Sequence, residues 1–329
     1  MKINLQPIIS PSLPMTTLIY LGFFLVWITF YWFYDFPFEM QGPAGSLGES
    51  LLPSKSLVAN LITFGLIILN SLILAQMNNR FAIVRTRTFM PTFIYLLLAV
   101  CWLPTYGNYV AALSSLFVLV AIYFSLGMYK DKKSDEQAFL SFFSLALGTF
   151  LVPEFLVLVV VFWIGFSLLN SMSGRVFFAS VFGFITPWIL LFSALYFFYG
   201  HTESLSQVQT FVLKYNVFNY KNIPAFVYAA VMLAILIVSL WQITTNDRQD
   251  SIQTRNILNF FKIFIFGLLF LFVFRYAGFT SYLPLIAILY ALLTAYIFTL
   301  LRNFFNSVVF PVLCVVNLMF AFYMIIIAV

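Results

Sequence analysis

Long apolar runs separated by short polar punctuation occupy the chain from residue 16 to residue 327. A helix needs roughly 20 residues to cross the hydrocarbon of a bilayer, and at that length the runs predict about eleven spans. They fall at 16–34, 57–76, 90–104, 109–128, 138–152, 155–170, 176–199, 225–244, 257–275, 282–300 and 307–327. The third, fifth and sixth are short. The tight turn WLPTYGNY joins the third to the fourth, and VPEF joins the fifth to the sixth. Each pair is either a full hairpin or a partly re-entrant one, because irregular backbone at membrane depth is tolerated where protein or a water-filled cavity covers it. The expected fold class is all-α: a polytopic membrane protein with short hairpins, forming a single integral membrane domain over residues 1–329. No internal repeat is visible, which counts against an inverted-repeat transporter.

Two connecting segments on one side are long. Residues 35–56 contain Gly42, Pro43, Gly45, Gly48 and Pro53, a turn-rich composition. In the segment 200–223, Leu205, Val208, Phe211, Val212 and Tyr215 recur at helical spacing, with Ser206, Gln207, Gln209 and Lys214 between them. That pattern predicts a helix lying in the membrane interface over 203–218.

Composition agrees with the pattern. Hydrophobic residues make up 63% of the chain and charged residues 8%, against about 25% charged in a soluble domain. The formal net charge of +6 is not a nucleic-acid footprint, since the basic residues are scattered singly between apolar runs. Their distribution sets orientation instead. With the N-terminus inside, Lys2, Arg80, Arg85, Arg87, Lys130, Lys132, Lys133, Arg175, Arg248, Arg255, Lys262 and Arg302 are cytoplasmic. Lys55, Lys214, Lys221 and Arg275 are then outer. The expected location is a bacterial inner membrane with a cytoplasmic N-terminus. The opening MKINLQPIISPSLPM lacks a small-residue cleavage site and is not expected to be a removable signal.

No soluble-enzyme motif occurs: GxxxxGK[ST], a strand-to-helix GxGxxG, HExxH and GxSxG are all missing. His201 is the single histidine, which excludes a multi-histidine metal site within one chain. Cys101 and Cys314 sit in apolar runs without metal-ligand spacing and are expected to be packing residues. The remaining candidates are assigned to the outer side. Asp35 and Glu39 follow the first span four residues apart, with Pro37 between them. They are either the wet end of a helix or a general base, or a metal-carboxylate site, facing a lipid-linked substrate. Glu154 sits at the apex of FLVPEFLV, where a carboxylate at depth marks a functional position and one at the headgroups does not. Arg275 ends the apolar run FGLLFLFVFRYAGFTSY, as a bidentate phosphate ligand or as a snorkelling anchor. The candidate catalytic set is therefore Asp35, Glu39 and Glu154. The candidate substrate-binding set is Arg275, His201, Lys214 and Lys221, with no metal site and no identifiable cofactor.

The stretches RTRTFMPTFIYLLLAV, AFLSFFSLALGTFLVPEFLVLVVVFWIGFSLL and GRVFFASVFGFITPWILL resemble a family of uncharacterised multi-pass inner-membrane proteins of the Bacteroidota. The resemblance covers about residues 60 to 200, through short and mostly apolar motifs. More distantly, the layout is similar to the C-type glycosyltransferase fold. In that layout a carboxylate follows the first span, paired short helices come next, and a Pro-containing hairpin precedes a Gly-rich span. The resemblance implies Asp35 or Glu39 at the catalytic-base position. The chain departs from it in lacking an acid between the third and fourth spans, and a large soluble domain after the last span.

Three functions remain open at this point. One is an envelope glycan glycosyltransferase or polymerase acting on a polyprenyl-phosphate-linked substrate at the outer face. The second is a transporter or lipid flippase, for which Asn60, Asn70 and Asn317 supply mid-span polarity. The third is a non-catalytic subunit of an envelope complex. Membrane lipids are partners in all three; a lipid-linked glycan or other envelope proteins are partners in particular ones.

Overall fold

The structure is a computed structural model that describes residues 11–33, 56–84, 88–131, 133–199, 223–246, 250–274, 279–300 and 304–328. Among the described residues every regular element is helical. Eleven α-helices follow in order: α1 (Leu13–Phe33), α2 (Leu57–Phe81), α3 (Met90–Cys101), α4 (Tyr109–Gly127), α5 (Asp135–Leu151), α6 (Leu158–Leu168), α7 (Gly174–Tyr199), α8 (Ile223–Thr245), α9 (Ile252–Phe274), α10 (Phe279–Leu300) and α11 (Phe304–Ala328). Two 3-10 turns, Leu103–Thr105 and Pro153–Val157, interrupt the pairs α3–α4 and α5–α6. Helices match the predicted runs one for one, although eight of them are long and apolar enough to cross a membrane. The other three, α3, α5 and α6, have 12, 17 and 11 residues, and they are the runs whose shortness the sequence shows.

Side-chain contacts give the helices their directions. Tyr20 meets Ser71 while Trp27 meets Phe64, so α1 and α2 are antiparallel. Asn70 bonds to Ser115 and Arg80 to Tyr123, so α2 and α4 run parallel. Ser125 bonds to Ser141 and Ser114 to the Gly148 carbonyl, which makes α4 and α5 antiparallel. Phe139 faces Gly183 and Phe150 faces Trp188, so α5 and α7 run the same way. Val161 faces Gly267 while Gly165 faces Phe260, setting α6 against α9. Tyr290 bonds to Met232 and Ser239 to Leu293, so α8 and α10 are parallel. The chain therefore reverses at each connection. Both 3-10 turns share one end of the bundle, here the turn end, with the last turns of α1, α7 and α9 and the first turns of α2, α8 and α10.

Burial separates helices that look alike in sequence. Every residue of α3 except Phe93 is buried, and 89% of the apolar stretch of α10 is buried, against 11% for α1. Helices α3 and α10 form the centre; α1, α7, α8 and α11 present leucines and aromatics outward, where they suit lipid contact. Lipid tails are as apolar as leucine, so these helices hold together by close packing and hydrogen bonds, not by exclusion of water. Small residues mark the closest approaches. A Cβ on Gly183 would lie 2.4 Å from the Phe139 carbonyl oxygen, and one on Gly165 would lie 2.3 Å from the Phe260 ring.

Candidate functional site: the turn end

The first turn forms because Pro104 and Gly107 punctuate an otherwise apolar run, Gly107 with φ of 71°. Backbone that leaves a helix within a membrane must find other partners, and local groups supply them. Thr105 N–H donates to the Trp102 carbonyl (2.9 Å) and Tyr106 N–H to that of Leu103 (3.0 Å). The Thr105 hydroxyl donates to the Trp102 carbonyl at 2.7 Å, and the Tyr106 hydroxyl to the Val100 carbonyl at 2.8 Å. Asn108 then caps α4 by accepting from Ala111 N–H at 3.1 Å.

Neighbouring helices continue beyond this turn. Tyr106 stacks flat on Trp27, with ring centroids 3.5 Å apart, and Trp27 lies six residues before the end of α1. Trp102 Nε1 donates to the Tyr228 hydroxyl at 2.5 Å, and Tyr228 lies five residues after the start of α8. At 1.5 Å of rise per residue, the turn sits about 7–9 Å below those helix ends. It is built of Trp102, Thr105 and Tyr106, all buried, with Pro104 and Asn108 partly exposed. From the turn a polar track runs inward. Tyr228 donates to Asn317 Oδ1 (2.7 Å), Asn317 Nδ2 donates to the Leu313 carbonyl (2.8 Å), and Tyr290 donates to the Met232 carbonyl (3.3 Å).

The second turn places Glu154 at the apex that the sequence indicates. Glu154 is half-buried, Phe155 beneath it is fully buried against Tyr282, and Leu156 and Val157 are exposed. In the antiparallel register of α6 and α9, Val161 faces Gly267. Seven further residues along each chain bring Glu154 level with Phe274, the last residue of α9. Glu154 is the one charged side chain at the turn end among the described residues, whereas Arg80, Lys130, Lys133, Arg175, Arg255 and Lys262 lie toward the other end.

Of the sequence-predicted site residues, Glu154 alone is described. Asp35, Glu39, Arg275, His201, Lys214 and Lys221 lie outside the described residues, as does the predicted interfacial helix over 203–218. The helices that flank these segments (α1, α2, α7, α8, α9 and α10) all end or begin at the turn end. Asn70 and Asn317 are buried at mid-helix as expected. Asn60 is also buried, but in the first turn of α2, where its amide donates to the Ser56 carbonyl at 3.2 Å. Cys101 is buried and Cys314 partly so, both as free thiols. No group of three His, Cys, Asp or Glu side chains comes together among the described residues. Sequence reasoning missed Trp102 and Tyr228; the proline and glycine beside Trp102 were the available signal, and Tyr228 carried none.

The chain matches no protein-family model, and no curated protein and no solved structure is detectably similar to it.

Proposed function

We propose that this protein is a bacterial inner-membrane enzyme of envelope glycan assembly, transferring or polymerising sugars from a polyprenyl-phosphate carrier at the outer face. The observation that carries the reading is the turn Trp102–Asn108, whose polar and aromatic groups are set about 7–9 Å below the ends of the neighbouring helices. The chain segments bearing Asp35, Glu39, His201, Lys214, Lys221 and Arg275 join helices at that same end. All six described lysines and arginines lie toward the opposite end, which under the positive-inside rule is the cytoplasmic one. Asp35 is the proposed base and Glu154 the second acid, with Glu39 nearby. Arg275, Lys214 and Lys221 are proposed to take the carrier phosphate, and His201 a sugar or phosphate oxygen. A similar layout in C-type glycosyltransferases supports the assignment of Asp35.

The test uses the purified protein in lipid nanodiscs. Undecaprenyl phosphate should raise the melting temperature more than undecaprenol or phosphatidylglycerol does, and Arg275→Ala should remove that excess. Asp35→Asn should abolish sugar transfer while leaving carrier binding and expression intact. An identical response to every anionic lipid refutes the reading. A second reading, a non-catalytic subunit of an envelope complex, is favoured by the single charged side chain at the turn end among the described residues. It predicts co-purification with a fixed partner and full function of Asp35→Asn.

A further inference from the structure

At the end of the bundle opposite the two turns, the outward side of α2 finishes in a cation. Ile62, Leu69 and Leu72 are exposed apolar residues, and helical periodicity brings Gln76 and Arg80, also exposed, onto the same stripe. Helix α2 has 25 residues and rises about 37 Å, more than the roughly 30 Å of hydrocarbon. Arg80, in its last turn, therefore stands at the level of the lipid headgroups, at the end that the positive-inside rule makes cytoplasmic.

The side chain of Arg80 is fixed to the bundle. Its guanidinium lies 5.4 Å from the centre of the Phe81 ring and 5.2 Å from that of Tyr123, and Nη1 donates to the Tyr123 hydroxyl. Phe81 is buried and meets the Tyr123 ring edge-on at 5.7 Å. Asp131, Asp135 and Glu136 lie at the same end, yet among the described residues no carboxylate pairs with Arg80. The Tyr123 hydroxyl accepts from Arg80, and its own proton has no acceptor among the described residues. Two adjoining side chains thus have hydrogen-bond donors to spare and no negative charge beside them, which is what an anion requires.

We propose that Arg80 and Tyr123 form a binding site for the phosphate of an acidic phospholipid in the cytoplasmic leaflet. The free N–H groups of the guanidinium take two phosphate oxygens, since its planar fork matches them, and the Tyr123 hydroxyl donates to the same phosphate. The aromatic contacts orient the guanidinium beforehand, so little side-chain entropy is lost on binding. A headgroup with its own ammonium fits less well, because it brings a second cation to a place that already holds one. The acyl chains follow the apolar stripe of Ile62, Leu69 and Leu72. This site lies at the opposite end from the candidate carrier site and does not depend on it.

Native mass spectrometry of the protein released from nanodiscs of equimolar phosphatidylglycerol and phosphatidylcholine counts the lipids retained. The native protein should retain phosphatidylglycerol preferentially, and Arg80→Gln should lower its affinity about tenfold or more. Arg175→Gln is the control. It removes an equal charge at the same end, from an exposed arginine with no hydrogen bond or ring contact among the described residues, and should cost a few-fold at most. Tyr123→Phe keeps every charge and should still lower the affinity several-fold. Equal effects of Arg80→Gln and Arg175→Gln overturn the proposal, as do native affinity in Tyr123→Phe and equal retention of the two lipids. Displacement of the lipid by millimolar inorganic phosphate would assign the site to a soluble anion and overturn it too.

Discussion

Gly183 offers the sharpest test of the packing. Gly183→Ala would place a methyl carbon 2.4 Å from the Phe139 carbonyl oxygen, 2.9 Å from its Cα and 3.0 Å from its carbonyl carbon. Ordinary contact begins near 3.4 Å, so α5 and α7 must separate by about 1 Å at the crossing. The obstacle is main chain, and no rotamer change relieves it. A gap of that size forfeits a quarter to a half of each dispersion contact along the interface. Overpacking of this kind costs about 1–3 kcal/mol, and a backbone obstacle puts Gly183→Ala at the upper end, near 3. Alanine returns about 1 kcal/mol through helix propensity. The net expectation is a loss of about 2 kcal/mol.

Gly22→Ala is the control. Nothing lies within 4 Å of a Cβ at Gly22, so the same propensity gain of about 1 kcal/mol goes unopposed. The two variants should therefore differ by about 3 kcal/mol in opposite directions from the native protein. Unfolding by sodium dodecyl sulfate in mixed micelles, followed by tryptophan fluorescence, measures both. Trp188 packs on Phe150 near the crossing and Trp163 bonds to Ser180 one turn away, so two of the six tryptophans report on it. If Gly183→Ala proves as stable as Gly22→Ala, the close approach of α5 and α7 is wrong.

Other expectations follow from single contacts. Asn78→Ala removes the bonds to Thr88 O (3.1 Å) and from Val84 N–H (3.2 Å), at a cost of roughly 2–4 kcal/mol; limited proteolysis should then cleave faster within residues 82–89. Tyr228→Phe strands Trp102 Nε1 and Asn317 Oδ1 and should cost about 1–3 kcal/mol. A double-mutant cycle with Asn317→Leu checks it, the second substitution costing less once Tyr228 is gone; additivity would deny the track. Reporter fusions at residues 132 and 210 should report opposite sides of the membrane, and agreement between them would break the alternation of helices.

The number and order of helices were legible in the sequence because apolar runs and turn residues carry them directly: Pro104 and Gly107 mark one break, Pro153 the other. Which helix stands in the middle was not legible. The sequence of α1, LPMTTLIYLGFFLVWITFYWF, is as apolar as that of α3, MPTFIYLLLAVC, yet one faces outward and the other is enclosed. In water such a difference would show as a polar face. In a bilayer both environments are apolar, so hydrophobicity has no contrast with which to tell them apart. The same uniformity hid Tyr106 and Tyr228 among eighteen tyrosines. Their roles depend on where a single hydroxyl points.

The polar turn and the enclosed centre are one feature with a single physical cause. A helix of 12 residues rises about 18 Å, well short of the roughly 30 Å of hydrocarbon. So α3 must end inside the membrane, where its last carbonyls have no water to meet. The Thr105 and Tyr106 hydroxyls meet the carbonyls of Trp102 and Val100, and this works because α10, α2 and α8 wall the turn from lipid. Full-length neighbours thus enclose a helix that stops early, and the local hydrogen bonds of the turn replace those that water would otherwise supply.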